Sequence, residues 1–243
     1  MLRFWNRLHA CHRFWRYRYR SERQEMSLML QQDLAGTTVL DVGANRGAYS
    51  YWMHRAVAST GQVIAFEPQP ELAAYLEDLK QTFGLKQLTI VNAGVSDRPG
   101  TLTFVRPRNH WGGGSFHLQP DHPNADVFDV SVLRLDDYLA RRILPPVKFI
   151  KCDVQDHEIH VFRGARKTLL KHRPILLFEQ TDRCVREGLI HSYLSGLGYS
   201  GYFLHQDRLT GVEELPELRA SIPLPYLNFI YRFEERAALR RAA

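Results

Sequence analysis

Val39-Leu40-Asp41-Val42-Gly43-Ala44-Asn45-Arg46-Gly47-Ala48-Tyr49-Ser50 reads as a buried strand, a glycine turn and the start of a helix. Val39 to Val42 is an apolar run interrupted by one carboxylate near its exit. Gly43 and Gly47 bracket the turn, and Asn45 is a residue type that tolerates a left-handed backbone. Strand, glycine turn and helix together form the front of a nucleotide-binding βαβ unit.

The turn reads G-x-N-x-G, not the G-x-G-x-x-G of dinucleotide sites, so a nicotinamide-dependent oxidoreductase is disfavoured. A pyrophosphate needs free N–H groups without a neighbouring anion. Asp41, two residues before Gly43, suits a cationic or zwitterionic ligand instead, and S-adenosylmethionine is of that kind. Gln62 to Phe66 is a second apolar strand, ending in Glu67-Pro68. An acid there can accept both hydroxyls of a ribose, or merely cap the helix from Glu71 to Phe83.

The rest of the chain repeats the alternation. Strands are predicted at 38–42, 62–67, 88–92, 147–153, 175–179, 199–205 and 227–233, with added strands at 101–105 and 126–134. The expected fold is α/β: a Rossmann-like, doubly wound, mostly parallel seven-stranded sheet with an antiparallel edge and helices on both faces. Ligands of such sheets bind beyond the C-terminal strand ends, where Asp41, Glu67, Asn92, Asp153 and Glu179 all fall.

Composition bounds the class. The chain has 243 residues, 44% hydrophobic and 24% charged, enough for one substantial core. No apolar run is long enough to cross a membrane, and no secretory signal is read. The three cysteines, Cys11, Cys152 and Cys184, follow no disulfide or zinc pattern, which favours a cytoplasmic setting. Arg3, Arg7, Arg13, Arg16, Arg18 and Arg20 supply the whole formal charge of +6, so residues 21–243 balance to zero. The expected organisation is a basic aromatic arm over 1–24, a domain over 25–235 and a tail over 236–243. For the arm, a helix packing its aromatics on the domain is put first. Peripheral attachment to an anionic inner membrane comes second, and nucleic acid third, since the body is neutral. Leu2, Trp5, Leu8 and Trp15 form its candidate apolar stripe.

The motifs Asp41 to Gly47, Phe66-Glu67-Pro68, Asn92 to Asp97, Leu135 to Tyr138, Phe149 to Val154, Gly164-Ala165 and Phe178-Glu179 resemble the FkbM family of S-adenosylmethionine-dependent methyltransferases over roughly residues 25–235. The resemblance implies O-methylation of a hydroxyl on a small molecule, lipid or glycan, with a sugar first. Asp41, Gly43, Asn45, Gly47, Ser50, Glu67, Pro68, Asn92, Asp97 and Asp153 are the expected cofactor residues. Asp41 would meet the ammonium, Glu67 the ribose, and Asn92 or Asp97 the adenine. Asp153, His157 and Glu158 are the catalytic candidates: Asp153 to hold the ammonium, orient the substrate or take its proton, His157 as a base titrating near neutrality. His110, Trp111 and Glu179 are the acceptor candidates. No metal is assigned, because the acids are spread too widely. Where the family has D-V-E-G-x-E, this chain has Asp153-Val154-Gln155-Asp156-His157-Glu158. Gln155 removes a carboxylate and Asp156 replaces a glycine, which leaves a noncatalytic cofactor-binding or scaffold protein as the rival to an enzyme.

Overall fold

Thr38–Val42 is buried at every position and is therefore a central strand. The computed structural model describes residues 4–108, 110–119, 121, 124–206, 208–218, 222 and 226–234. Its strands are β1 (Thr38–Val42), β2 (Gln62–Phe66), β3 (Leu88–Val91), β4 (Gly94–Ser96), β5 (Gly100–Pro107), β6 (Ala125–Arg134), β7 (Val147–Cys152), β8 (Ile175–Thr181), β9 (Tyr199–His205), β10 (Arg208–Gly211) and β11 (Tyr226–Phe233). The helices are α1 (Phe4–Arg16), α2 (Arg23–Leu30), α3 (Ala48–Ala56), α4 (Pro70–Phe83), α5 (Leu135–Ala140), α6 (Glu158–Gly164), α7 (Arg166–His172), α8 (Asp182–Glu187), α9 (Leu189–Gly196) and α10 (Leu215–Leu218).

The main sheet runs β10-β9-β11-β8-β7-β1-β2-β3. β8, β7, β1, β2 and β3 are parallel neighbours, and β11 is antiparallel to both β8 and β9. This is the Rossmann-like fold. It carries one strand beyond the seven expected: β10 pairs antiparallel with β9 and makes the edge. Arg208-Leu209-Thr210-Gly211 is too short and too polar to read as a strand by itself. The added strands at 101–105 and 126–134 are β5 and β6, which join β4 in a separate three-stranded sheet. Ala165 separates α6 from α7, and Gly188, which has φ 65°, separates α8 from α9.

Side-chain alternation sorts the core into two faces. Leu40, Val42, Ile64, Phe66, Ile150, Cys152 and Phe178 point to one, and Val39, Val63, Ala65, Phe149 and Leu177 to the other. The second face is covered by α1, α2, α3 and α4, through residues such as Phe14, Met26, Met53 and Leu76. Asp41, Lys151 and Glu179 share that parity on the adjacent strands β1, β7 and β8. The same alternation that buries Val39 and Phe149 therefore collects three charged groups under α2 and α3.

The N-terminal segment is not an appendage, and the boundary expected at residue 24 falls inside α2. Ala10 and Phe14 are buried in the second core. Phe14 stacks on Tyr51 at 4.1 Å, and Trp52 Nε1 donates to the Phe14 carbonyl at 3.0 Å. Arg13 donates to the Tyr75 hydroxyl at 3.2 Å. Asn228 donates to Glu25 at 3.1 Å, fastening α2 to the far strand β11. The buried stripe is Ala10 and Phe14; Trp5 and Trp15, expected on it, are 70% and 53% exposed. The tail at 236–243 and Leu2 lie outside the described residues. Phe14→Ala should cost about 3–5 kcal/mol in urea unfolding, the scale of a lost buried aromatic ring. Trp5→Ala should stay within about 0.5 kcal/mol of wild type.

Candidate active site

The glycines of the β1 turn are required by the chain's own packing. Gly43 has φ 81°, and a Cβ there would lie 1.9 Å from the Asp153 carbonyl oxygen. The β1 exit and the β7 exit can approach this closely only through glycine. Gly47 (φ 73°) faces Leu76 and Leu79 of α4, where a Cβ would meet Leu76 at 2.7 Å. It serves helix packing and does not line the cleft. Asn45 takes the left-handed conformation (φ 49°), and its N–H donates to Glu67 Oε2 at 2.7 Å.

Two depressions open at the C-terminal edge of the sheet, sharing Gly43, Asn45, Gly112 and Asp153. The narrower is a slot between Glu67, Pro68 and Gln69 on one side and Ala93 to Val95 on another, with Phe104, Gly114 and Phe116 against it. The wider is a cleft of about 450 Å³, within the range of small-molecule sites. Asp41, Tyr49, Lys151 and Asp153 line it, along with Arg13, Arg16, Tyr17 and Glu22 from the N-terminal segment and Arg46, Arg108, His110 and Trp111.

Lys151 is the organising group of the cleft, and it was missing from the sequence reading. It is 3% exposed, lies over the Tyr49 ring at 5.0 Å and binds Asp153 Oδ2 at 3.2 Å. Asp153, Glu22, Asp41 and Glu179 all stabilise its charge, which holds the ammonium well above its ordinary pKa despite burial. The carboxylates feel the opposite pressure. Burial raises Asp41 to about 6, opposed by a hydrogen bond from Ser50 Oγ at 2.5 Å and by Lys151. Burial raises Glu22 as well, against Lys151 and a 2.5 Å hydrogen bond from the Tyr49 hydroxyl. Burial and then Asp153 raise Glu179. Four acids thus surround one buried cation.

Other expected residues are placed differently. Ser50 is fully buried and its hydroxyl serves Asp41, not the cleft. Asn92 donates to the carbonyls of Glu67 and Pro68, at 2.9 and 3.1 Å, and so ties the β3 end to the β2 end instead of lining the slot. Asp97 pairs with His160 at 3.2 Å and lines neither depression. His157 is neither a surface residue nor in the cleft. It is buried, contacts Ser96 Oγ and His117 Nε2 at 3.0 Å each, and is lowered to about 3, by burial first and then by His160 and His117. Its imidazole stays neutral and lines neither depression. Glu67 accepts from the N–H groups of Asn45 and Gln69 and is raised by burial to about 7.

The loop after β5 is anchored. Gln69 Nε2 donates to the Trp111 carbonyl at 3.1 Å, Arg106 stacks over the Trp111 ring at 4.5 Å, and Ser115 Oγ donates to the Gln155 carbonyl at 2.7 Å. His110 and Trp111 both reach the wider cleft, whereas Glu179 lies behind it, next to Lys151 and Asp153. Gln155 (φ 54°) and Asp156 (φ 75°) both adopt left-handed backbones, as the glycine of the family pattern would. Contacts offset the strain: Thr181, Arg183 and Cys184 all bind the Asp156 carboxylate, and Gln155 Nε2 donates to Asp153 Oδ1 at 3.0 Å.

Residues 41–200 match the Methyltransferase FkbM domain. The chain belongs to the FkbM family of S-adenosylmethionine-dependent methyltransferases. It is similar to the 2-O-methyltransferase NoeI of Sinorhizobium fredii, 30% identical over an alignment of 183 residues that covers 68% of this chain and 71% of that protein. Among solved structures it resembles methyltransferase FkbM from Methylobacillus flagellatus, with TM-score 0.57 and 15% identity. The match covers 84% of this chain but only 45% of that one. It also resembles a putative rRNA-methylase from Clostridium thermocellum, with TM-score 0.54, 13% identity and coverage of 88% and 97%. At these identities the two structures speak for the fold alone.

Glu158 yields a test of the electrostatics. It is 1% exposed, accepts from the Val154 N–H through Oε1 at 3.0 Å, and its Oε2 has no partner. Burial raises it to about 8. The folded state therefore holds this proton where the unfolded chain, near 4.5, has lost it. Its contribution to stability is full below about pH 4.5 and is lost as the pH rises towards 8. Glu158→Gln keeps the Val154 hydrogen bond and cannot ionise. Thermal melts from pH 5 to pH 9 should show a visibly shallower loss of stability in that variant, and a parallel loss would contradict the assignment.

Proposed function

We propose that the chain transfers a methyl group from S-adenosylmethionine to a hydroxyl of a small molecule, lipid or glycan, with a sugar hydroxyl first. The observation that carries the donor assignment is the excess of carboxylate around Lys151. Glu22, Asp41, Asp153 and Glu179 outnumber the single ammonium, and burial already resists the ionisation of Glu22, Asp41 and Glu179. A ligand carrying an ammonium and a sulfonium relieves that excess, whereas a pyrophosphate would aggravate it. We assign the slot beside Glu67 to the nucleoside, with the acid at the ribose. The resemblance to a 2-O-methyltransferase supports oxygen as the acceptor atom.

S-Adenosylmethionine, once bound, supplies a methyl already activated by positive sulfur. The protein's task is alignment and removal of the hydroxyl proton. Asp153 lines both depressions, and Lys151 and Gln155 fix its two oxygens. It is our candidate to face the acceptor hydroxyl. Trp111 offers a ring to a sugar face, and Arg13, Arg16, Arg46 and Arg108 give the mouth a positive rim. Nucleic acid is disfavoured because the charge outside residues 1–20 balances to zero.

Calorimetry with S-adenosylhomocysteine should give saturable binding, and NAD none. Affinity should strengthen as the pH rises from 5 to 7, because Asp41, raised to about 6, must ionise to meet an ammonium. Micromolar NAD binding without nucleoside binding would end the proposal. Asp153→Asn should lower turnover by about 10²–10⁴ with cofactor affinity near wild type. An equal loss of affinity would move Asp153 to the ammonium instead. Activity found only in Gln155→Glu would favour the scaffold alternative.

A peripheral membrane contact is the second part of the reading. Trp5, Leu8, Trp15 and Tyr19 of the N-terminal segment are all exposed, and arginines flank them in the sequence. No described helix is long and apolar enough to cross a membrane. An aromatic face edged with arginine suits the interface of an anionic bilayer. Sedimentation with phosphatidylglycerol vesicles should fall several-fold in the double variant Trp5→Ala, Trp15→Ala and be absent with neutral vesicles. Equal sedimentation of variant and wild type would reject the contact.

A further inference from the structure

His117, His157 and His160 lie outside both depressions, and no step of the proposed reaction uses them. His157 precedes α6, and His160 follows it at the i, i+3 spacing that stacks the two rings, with centroids 4.5 Å apart and planes 17° apart. His117 reaches them from the loop after β5. Each ring offers a nitrogen, and the three nitrogens lie within 4.8 Å of one another. A neutral imidazole has one lone pair on its ring nitrogens to offer a ligand.

The surroundings orient those lone pairs. Asp97 Oδ2 binds His160 Nδ1 at 3.2 Å, which places the His160 proton on Nδ1 and leaves Nε2 bare. Ser96 Oγ donates to Asp97 Oδ1 at 3.4 Å and so accepts from His157 Nε2 at 3.0 Å. That hydrogen bond puts the His157 proton on Nε2 and leaves Nδ1 bare, aimed at His117 Nε2 only 3.0 Å away. One carboxylate thus sets two tautomers, directly and through a serine. Metal-bound histidines are commonly held in this way by carboxylates behind them.

We propose that His117, His157 and His160 bind a divalent transition-metal ion of the zinc type, with Asp97 and Ser96 as the residues that orient the ligands. Two nitrogens on one tetrahedral zinc stand roughly 3.3–3.4 Å apart at bond lengths of about 2.0–2.1 Å. The His117–His157 pair therefore needs to open by only a few tenths of an ångström. On binding, the His117 proton moves to Nδ1 and Nε2 turns to the metal. Three neutral imidazoles suit zinc, nickel or copper and are poor ligands for magnesium or calcium. His117 is exposed, which leaves a path for the ion and for a water in the fourth position.

The site would act as a clip. His117 follows Gly112, Gly114 and Phe116, which wall the nucleoside slot, while His157 and His160 belong to the start of α6, directly after the Asp153–Asp156 turn. A bound ion joins the slot's outer wall to its floor. The full chain, stripped of metal, should take up one Zn²⁺ in competition with a chromophoric chelator. Co²⁺ in its place should show the intense visible bands of tetrahedral coordination. His117→Ala and His160→Ala, checked for folding by circular dichroism, should each weaken binding at least about 30-fold, and Asp97→Asn about 10–100-fold. Zn²⁺ should also slow proteolysis within residues 108–124 in wild type but not in His117→Ala. No stoichiometric uptake, or uptake unchanged in both histidine variants, would overturn the site. Uptake without protection of the loop would overturn the clip. None of these readouts involves cofactor or methyl transfer, so they stand apart from the proposed reaction.

Discussion

One buried ammonium holds the open edge of this sheet together. Lys151 is adjacent to Asp41 in the register of β7 and β1, and it reaches Asp153 two residues on. Glu22 comes to it from the N-terminal segment and Glu179 from β8. A lysine so enclosed is tolerable only because acids on several elements surround it, and those acids are tolerable only because it is there. The turn after β1, the end of β7, the helix α3 that carries Tyr49 and the N-terminal segment are therefore electrostatically one unit. Losing the lysine would leave several buried carboxylates without a counter-charge, a larger penalty than the loss of any one of them.

The same unit explains how a neutral domain can have an unevenly charged cleft. Acids lie at its floor, and arginines from α1, the β1 turn and the loop after β5 lie at its mouth. The floor matches a cation held against the sheet, and the mouth a partner with negative or polar groups arriving from outside. Gln155 and Asp156 do not disturb this arrangement, because their backbones keep the left-handed path and their side chains are tied to Asp153 and to the β8 end.

Most of the fold was legible because apolar runs of four to seven residues are hard to mistake when they alternate with helices. β4 escaped because three residues, Gly94-Val95-Ser96, make no pattern, and β10 because an edge strand need not be apolar. Within the site, Asp41, Glu67 and Asp153 were legible as acids at strand ends. Strand-end position does not say where a side chain points, so Ser50, Asn92, Asp97 and His157 were assigned to the cleft although they turn to the chain itself. Lys151 could have been found: a charged residue inside Val147–Cys152, at the parity of buried Phe149, calls for a partner. Glu22 and His117 could not, since nothing local announces a contact made 129 or 40 residues away in the chain.

The N-terminal helix shares its residues between the core and the cleft, and it lies wholly outside the region, 41–200, that defines the family. Asp41, Lys151 and Asp153 of the cleft lie inside that region, whereas Arg13, Arg16, Tyr17 and Glu22 do not. Membership in the family therefore accounts for one part of the cleft's lining and leaves the other to a segment that the family's defining region does not include.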